Sequence, residues 1–445
     1  MQQSVHELSG DQYLKMDTYL LGTVLFSIFL LPSANPIPGW FAFRLEDLLL
    51  PLIALYLFIR RGFRFHAYAF YILAFAAYIF LTIAINGRLA EYRDYFEIFK
   101  LIKYLLYFWF FSLVAGSPGT IRILRWIFPL IFLFNLLHYF NLFDFNRIIE
   151  PFYASEVRLL FFGKNSLGEP ATKRMLGTMD NPNNNAIVFL FFAAIFAPGN
   201  QIRKYDYLVF LLSFIGLLLT QSRTGMLAFV AIMIADIYIR RLNYKRVFFL
   251  LSMFIIGFVL INAIEYFDIQ SKALPTIEEK NAFIDKKQNL KFDELLPATE
   301  YLTNVIESDV SERSVTGRLE AWQHLWGMIK LKPVFGHAPY KEYFYNNCVY
   351  SESEYILMTW RYGFIGLLLY LGFIVLPAIL HFGKGSLLKY CPAVLFILVI
   401  LITAFMNTPV CEPRILLLLA FAIAYFYFSR NQISIEHEEV ADSGR

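Results

Sequence analysis

Charged residues are scarce in this sequence, and their scarcity argues against an ordinary soluble protein. Only 17% of the 445 residues are charged, whereas 58% are hydrophobic. Soluble proteins carry about 25% charged residues. The apolar residues come in long blocks, which suit membrane-spanning helices better than a soluble core. The pattern therefore predicts an all-α, polytopic integral membrane protein.

The motifs of several kinds of chemistry are also missing. The cysteines show neither metal-binding spacing nor a disulfide framework; they are Cys348, Cys391 and Cys411. There is no P-loop, no Rossmann glycine pattern, no H-E-x-x-H and no G-x-S-x-G, and no basic tract favours nucleic acid. We expect no metal, no cofactor and no nucleic-acid partner. The polar start of the sequence does not predict a cleaved signal peptide.

Twelve apolar segments are candidates for spanning helices, which need about 20 residues, or fewer where the bilayer thins. They lie at about 17–32, 44–60, 67–85, 97–115, 121–142, 183–198, 205–221, 224–240, 247–264, 354–380, 387–406 and 412–429. Alternate connections between them are short, basic and nearly free of acids. The positive-inside rule assigns these connections, and with them both termini, to the cytoplasm. The opposite side of the membrane is then extracytoplasmic, which is the periplasm if the cell is Gram-negative.

The opposite side of the predicted bundle holds two long segments. We interpret the chain as a single membrane domain, 1–445, with a smaller external loop at 143–182 and a large, mostly helical periplasmic subdomain at 265–353. Within the larger one, 318–331 is typical of an amphipathic helix. Its apolar residues share one stripe: Leu319, Trp322, Leu325, Trp326 and Ile329.

Most charges near the predicted span ends fall on that external side, which the positive-inside rule would deplete of arginine. Charges at the membrane edge favour a functional interpretation, and arginine offers a fork of donors suited to phosphate. Six of these residues are candidates for substrate binding: Arg44, Asp47, Arg93, Arg174, Asp180 and Arg313. The alternative for each is an ion pair with a nearby acid or, for an arginine, contact with lipid headgroups.

Arg223 lies in the segment TQSRTG, at the predicted start of the eighth span. An arginine inside a bilayer costs a few kcal/mol, so it needs water or a partner of opposite charge. Its neighbours Ser222, Thr224 and Gly225 are small, and backbone N–H groups can therefore approach a ligand closely. We interpret Arg223 as a phosphate-binding residue.

Two loop segments contain further polar candidates. Asn181 and Asn183, in GTMDNPNNNAIVF, either cap the sixth span or line a polar surface at its N-terminus. His337, in KPVFGHAPY, is a candidate base because histidine titrates near neutral pH. The alternative for His337 is an ordinary solvated loop residue.

The segment YSESEYILMTWRYGFIG, 350–366, returns the chain to the predicted membrane. A carboxylate near cations and an apolar wall can take a proton from a hydroxyl group, which makes Glu352 a candidate base. The alternative is an acid that complements the helix dipole. Glu354, Tyr355 and Arg361 are candidates for substrate contact, and Gly363 and Gly366 permit close helix packing.

The order of these motifs resembles the bacterial O-antigen polymerase and ligase superfamily, the Wzy and WaaL type. The motifs are R-x-E-D, G-x-x-x-N-P-N-x-x-A, T-Q-S-R-T-G, G-R-x-x-x-W, P-x-x-G and E-x-E-Y-I-L-x-x-x-R-Y-G-x-x-G. The likeness covers about residues 40 to 366. It implies about twelve spans with a large periplasmic loop, a GT-C-like arrangement, and glycan transfer from an undecaprenyl-pyrophosphate donor without a nucleotide sugar or a required metal.

The resemblance also implies roles for particular residues. Arg223 and Arg318 match arginines that are thought to hold the donor pyrophosphate in ligases. Where the ligases carry a proposed histidine base, this sequence has Glu352, within Glu-Ser-Glu-Tyr-Ile. An acidic residue at this place is common in the polymerase branch. The expected catalytic residues are therefore Glu352, Arg223 and Arg318.

The sequence thus predicts a glycosyltransferase that polymerises undecaprenyl-pyrophosphate-linked repeat units into O-antigen or another surface polysaccharide. Expected partners are lipid-linked glycans, as donor and acceptor, and membrane lipids, with a chain-length regulator as a candidate. The alternatives are an O-antigen ligase with lipid A–core as acceptor, a lipid-linked oligosaccharide flippase, and a passive assembly protein. Charges gathered at one face and the lack of related halves disfavour the flippase.

Overall fold

The computed structural model describes the chain in sections that together contain most of the predicted spans. These are residues 10–34, 43–86, 92–116, 119–145, 152–153, 174–179, 181–197, 204–241, 247–248, 251–252, 255–259, 262–263, 310–340, 352–381 and 387–428. The larger parts of the predicted external segments 143–182 and 265–353 lie outside them.

Helices dominate these sections, as the apolar runs predict. In chain order they are α1 (Gly10–Leu30), α2 (Leu45–Leu48), α3 (Leu50–Ile59), α4 (Ala67–Asn86), α5 (Phe96–Val114), α6 (Thr120–Phe140), α7 (Pro182–Ile195), α8 (Lys204–Leu219), α9 (Arg223–Arg240), α10 (Val310–Ile329), α11 (Glu354–His381), α12 (Leu387–Thr403) and α13 (Pro413–Ile423). Two short strands, β1 (Ser33–Ala34) and β2 (Phe43–Arg44), pair antiparallel. Single 3₁₀ turns lie at Tyr92–Tyr95, Leu142–Asp144, Gly177–Met179 and Pro409–Cys411, and a π-helical turn lies at Ala424–Phe428.

The twelve predicted spans correspond closely to these helices. All except 247–264, which is described only in short pieces, contain a described helix. The span predicted at 44–60 is divided into α2 and α3, because Pro51 has no N–H to donate to the carbonyl of Asp47. Among the described residues, α4, α6 and α11 are long and apolar enough to cross a membrane. These helices are consistent with a membrane protein, and the count of twelve spans stays a prediction.

Aromatic side chains fill much of the space between the helices. Tyr68 of α4 and Tyr104 of α5 are fully buried, with their hydroxyl oxygens 2.7 Å apart. The Tyr68 hydroxyl also donates to the carbonyl of Phe373 in α11, at 2.9 Å. In a bilayer, helices associate through packing and interhelical hydrogen bonds. These tyrosines supply both, and they join α4, α5 and α11.

Helix α11 is broken at Gly363, where the backbone has φ 68° and ψ −171°. The break removes helical partners from nearby backbone groups, and the loop at 333–338 replaces them. The N–H groups of His337 and Ala338 donate to the carbonyls of Trp360 and Arg361, at 2.9 and 2.7 Å. Broken helices are tolerated at membrane depth when such partners are available. The 333–338 loop therefore joins α10 to the first turns of α11.

Residues 318–329 of the amphipathic helix predicted at 318–331 lie in α10, which ends at Ile329 and packs against α11. Leu325 and Ile329 are buried, whereas Leu319 and Trp326 are 48% and 46% exposed. The predicted apolar stripe is therefore only partly covered by the described chain. The Trp326 ring lies 6.3 Å from that of Phe364, just beyond the break in α11.

Candidate functional site

The loop between α12 and α13, residues 404–412, lies where several helices begin or end. The N–H of Glu354, the first residue of α11, is shared between the carbonyls of Ala404 and Asn407, at 2.9 and 3.1 Å. The Glu354 carboxylate accepts a hydrogen bond from the N–H of Val410 at 3.0 Å. Glu354 is completely buried. The 404–412 loop is therefore held against the start of α11.

The same loop continues into a group of buried and half-buried ion pairs. Glu412 contacts Arg44 at 2.7 Å. Lys103, in the second turn of α5, bonds the carboxylate of Asp47. Because burial of an unpaired charge is costly, partners of opposite sign stabilise this arrangement. Arg44 and Asp47, both predicted substrate-binding residues, have acidic and basic protein partners here.

Glu97 provides the acidic centre of the next part of this group. Its carboxylate lies 3.1 Å from Lys100 and 3.8 Å from the guanidinium of Arg361. Lys100 also donates to the carbonyl of Cys411, at 3.1 Å. The ion-pair cluster comprises five cations and four acids: Arg44, Lys100, Lys103, Arg361 and Arg414 with Glu46, Asp47, Glu97 and Glu412.

Beside the ion-pair cluster, hydrogen bonds connect Arg174 to a series of amide side chains. The Arg174 guanidinium donates to the carbonyl of Thr220 at 3.0 Å and to Oδ1 of Asn183 at 2.9 Å. Asn183 in turn donates from Nδ2 to Oδ1 of Asn407, at 2.9 Å. We call these three residues, Arg174, Asn183 and Asn407, the amide relay. It connects the end of α8 and the start of α7 to the 404–412 loop.

The asparagine-rich start of α7 explains why Asn183 is held in place. Asn181 is the N-cap, and its side-chain oxygen accepts from the N–H groups of Asn183 and Asn184, at 2.8 and 3.4 Å. This confirms the predicted cap. Asn185, one turn along, is buried and donates to Oδ1 of Asn135 in α6, at 2.7 Å.

Gly177 permits the close approach of that buried amide pair. It has φ 59°, and a Cβ atom there would lie 2.4 Å from Oδ1 of Asn135 and 2.6 Å from Oδ1 of Asn185. Any larger residue would displace these amides, and it would also be strained at positive φ. The 3₁₀ turn at Gly177–Met179 therefore fits tightly against α6 and α7.

Arg223 is the first residue of α9, as the sequence predicts. The preceding Ser222 caps the helix by accepting from the N–H of Gly225 at 3.2 Å. The Arg223 side chain is exposed and has no hydrogen bond or ion pair within the described sections of the chain. Helix N-termini favour anions through the dipole and unpaired N–H groups. This arginine is three residues from Thr220, to which Arg174 is bonded.

Glu352 precedes α11 by two residues and is half-buried. Its φ is 49°, an uncommon value for a residue with a side chain. Strained backbone of this kind is concentrated at functional sites. Tyr355, the second residue of α11, donates its hydroxyl to the carbonyl of Leu401 at 2.5 Å. The turn that carries Glu352 therefore lies directly before the buried Glu354.

His337 occupies the contact between the 333–338 loop and α11. Its Nε2 lies 3.0 Å from the carbonyl of Met328, and its ring stacks on Trp360 with the centroids 5.1 Å apart. Burial lowers the pKa of His337 below its ordinary value, and nearby Lys332 lowers it further. A neutral imidazole with a fixed ring suits a structural contact. Its predicted role in substrate binding stays a prediction.

The structure does not place every predicted site residue. Asp180 and the side chains of Arg93, Arg313 and Arg318 lie outside the described part of the chain. The remaining predicted residues lie near helix ends, where the 404–412 loop, the amide relay and the ion-pair cluster meet. The roles of all of them in binding or catalysis stay predictions.

Two lysines and one asparagine of the site were missed by sequence reasoning. Lys100 and Lys103 follow Glu97 at intervals of three residues within an otherwise apolar helix, and a charge inside a span is itself a signal of function. Asn407 has no such local signal, because it stands alone in the loop after α12. Its importance depends on contacts with residues that are distant in sequence.

Part of the chain is similar to a known protein family. Residues 208–371 match the Wzy_C family model, whose description is O-antigen ligase. The matched region begins within α8, includes Arg223, α10 and Glu352, and ends within α11. Among proteins with curated descriptions, no relative matches the chain.

Proposed function

We propose, on the premise that this chain belongs to the O-antigen polymerase and ligase superfamily, that it polymerises lipid-linked repeat units. Membership rests on the match over residues 208–371. It makes the protein a glycosyltransferase-type membrane enzyme that acts in surface-glycan processing. The finer proposal is that donor and acceptor are both undecaprenyl-pyrophosphate-linked glycans, and that the product is a longer glycan on one carrier lipid.

The observation that carries the proposal is the contrast between the ion-pair cluster and Arg223. Every cation of the ion-pair cluster has an acidic or carbonyl partner. Arg223, exposed at the start of α9, instead has no partner among the described residues. An arginine without an acid, at a helix N-terminus, is suited to a diphosphate. Arg174 and Arg318 are the proposed second and third contacts.

In the proposed reaction, a hydroxyl of the acceptor sugar attacks the anomeric carbon of the donor. The new carbon–oxygen bond replaces the bond to the diphosphate, which leaves as undecaprenyl diphosphate with additional negative charge. Arg223 and Arg174 stabilise that charge in the transition state. Glu352 accepts the proton of the attacking hydroxyl. Binding both lipids in one site supplies much of the rate enhancement through orientation.

We further propose that the site faces the periplasm, with both termini in the cytoplasm. The basic connections on the other side of the bundle support this orientation through the positive-inside rule. In this arrangement, 143–182 and 265–353 are the external segments. The lipid substrates approach within the membrane, and a chain-length regulator is a proposed partner.

Reconstitution with a synthetic undecaprenyl-pyrophosphate repeat unit tests the proposal. The wild-type protein should make a ladder of products that differ by one repeat. Glu352→Gln should remove the base while it preserves the size of the side chain, and the ladder should disappear. A protein that moves the lipid across vesicles but makes no ladder would be a flippase, and the polymerase proposal would then fail.

O-antigen ligation is a second candidate, because the matched family model is described as O-antigen ligase. The two reactions share a donor and differ in the acceptor. A competition assay should therefore offer the donor with both lipid A–core and a second lipid-linked repeat. Transfer to lipid A–core alone would favour the ligase, whereas transfer to the repeat would favour the polymerase.

A further inference from the structure

The amide relay has a defined direction, which follows from the arginine at its start. A guanidinium can only donate hydrogen bonds, so the atom of Asn183 that faces Arg174 at 2.9 Å must be its oxygen. The other end of the Asn183 amide is therefore the NH₂ group, which donates to Asn407 at 2.9 Å. The atom of Asn407 that receives this bond must be Oδ1. The orientation of both amides is thus determined by chemistry.

The consequence is an NH₂ group on Asn407 that faces away from the relay. This Nδ2 atom is shielded from solvent and has no hydrogen-bond partner in the described part of the chain. A shielded donor without a partner costs about 1–3 kcal/mol, and native structures seldom leave one unexplained. The residue as a whole is only half-buried. An acceptor on a ligand that displaces the atoms shielding Nδ2 would complete its hydrogen bonding.

Asn407 also occupies the place where the two parts of the proposed site meet. Through Asn183 it is joined to Arg174, on the side of the proposed diphosphate site. Through its carbonyl it accepts from the N–H of Glu354, two residues after the proposed base Glu352. The donor's first sugar is attached to its diphosphate, and the base must lie close to the anomeric carbon of that sugar. The part of the donor between the diphosphate site and Glu352 is therefore its first sugar. Sugars present hydroxyl and carbonyl oxygens that accept from amide NH₂ groups.

We propose that Asn407 is a saccharide-binding residue, which donates from Nδ2 to an oxygen of the sugar nearest the donor diphosphate. This inference deepens the proposed function and rests on it. Asn407 would then determine how well the enzyme distinguishes a glycosylated carrier lipid from the bare carrier diphosphate. The arginines bind the diphosphate, which both lipids have, whereas Asn407 binds the sugar, which only the glycosylated lipid has.

Binding measurements with the full chain in nanodiscs separate these contributions. The two probes are undecaprenyl pyrophosphate and the same lipid carrying one repeat unit. For Asn407→Ala we expect affinity for the glycosylated lipid to fall about tenfold, with affinity for the bare lipid within twofold of wild type. Arg223→Ala should lower the affinity for both lipids by a similar factor. Asn407→Gln retains the NH₂ group and should recover part of the discrimination.

Two further measurements keep the outcome clear. Asn262→Ala removes an exposed asparagine whose amide donates to the carbonyl of Phe258, and it should change neither affinity. Thermal unfolding in detergent identifies any variant that fails to fold, in which case Asn407→Gln carries the test. An equal loss of affinity for both lipids in Asn407→Ala would show that Asn407 only supports Arg174, and it would overturn the inference. Failure of the wild-type protein to bind either lipid would instead refute the proposed function.

Discussion

Charged residues are paired differently at the two ends of the helix bundle. The site end contains the ends or starts of α1, α7, α8, α9 and α11, together with the 404–412 loop. The opposite end contains three separate ion pairs: Asp17 with Arg60 at 3.2 Å, Asp206 with Arg125 at 2.7 Å, and Asp236 with Arg240 at 2.6 Å. Each of these three arginines has an acidic partner. The site end combines the ion-pair cluster with Arg223, which has no acidic partner in the described chain.

This difference indicates which arginines are available to a ligand. An arginine that is already paired with a carboxylate must lose that partner before it binds a phosphate, and the loss lowers its affinity. Arg223 has no carboxylate to lose among the described residues. Arg44 and Arg361 were predicted from the sequence with equal weight, but both have acidic partners. We therefore expect Arg223 to be the principal phosphate-binding arginine, whereas Arg174, which bonds Thr220 and Asn183, stays a proposed second contact.

The largest effect on stability should follow from the loss of Glu97. Glu97→Ala leaves the buried Arg361 and the half-buried Lys100 without their shared carboxylate. Removal of one member of a buried ion pair costs about 3–5 kcal/mol, because the remaining charge is uncompensated. Chemical unfolding in detergent micelles measures this loss. A change below about 1 kcal/mol would mean that the cluster is well solvated and that the contrast between the two ends is weaker than described.

Loss of Arg223 should affect activity rather than stability. Arg223→Ala removes an exposed side chain, so the free energy of unfolding should remain close to that of wild type. Loss of one transition-state donor costs about 100- to 1,000-fold in rate, and we expect a decrease of that size in ladder formation. The matched control is Arg122→Ala, an exposed arginine in the first turn of α6 at the opposite end. Equal activity losses in both variants would contradict the assignment of the site.

The break in α11 gives an intermediate effect at the site end. In Gly363→Ala, the residue would be strained at φ 68°, and its Cβ would lie 2.1 Å from the carbonyl oxygen of Val334. Strain of this kind costs about 1–3 kcal/mol, and release of the 333–338 loop would remove its bonds to α11. Hydrogen exchange should then increase at Ala338 relative to wild type. Unchanged exchange would show that α11 does not need the loop to maintain its break.

The smallest effect is expected at the opposite end. Asp206→Asn breaks the ion pair with Arg125. The side chains of Asp206 and Arg125 are 23% and 25% exposed. Partly exposed pairs contribute about 0–1 kcal/mol because water and salt screen them. Unfolding measurements should detect a change within that range, and ladder formation should be unaffected. A large loss of activity would mean that the opposite end also contributes to the function.

Positions of the helices were predictable because they depend on local properties of the chain. Long apolar runs located eleven helical segments, including the start of α9 at Arg223, and Asn181 was one of the two residues predicted to cap α7. The division of α2 from α3 required attention to a single proline. The break in α11 was not predicted, because Gly363 was interpreted as a packing residue. Its conformation depends on the 333–338 loop, which replaces the lost helical hydrogen bonds.

Sequence alone therefore determined which segments are helical and gathered the candidate charges at one end, because hydropathy and the alternation of helix direction are properties of the chain order. Only the tertiary structure decided which charges are compensated. Glu97 and Arg361 are more than 250 positions apart, and so are Arg44 and Glu412. Ion pairing depends on distances of a few ångström, which are established when the helices pack. For the same reason Asn407, inconspicuous in the sequence, becomes the residue that joins the two parts of the site.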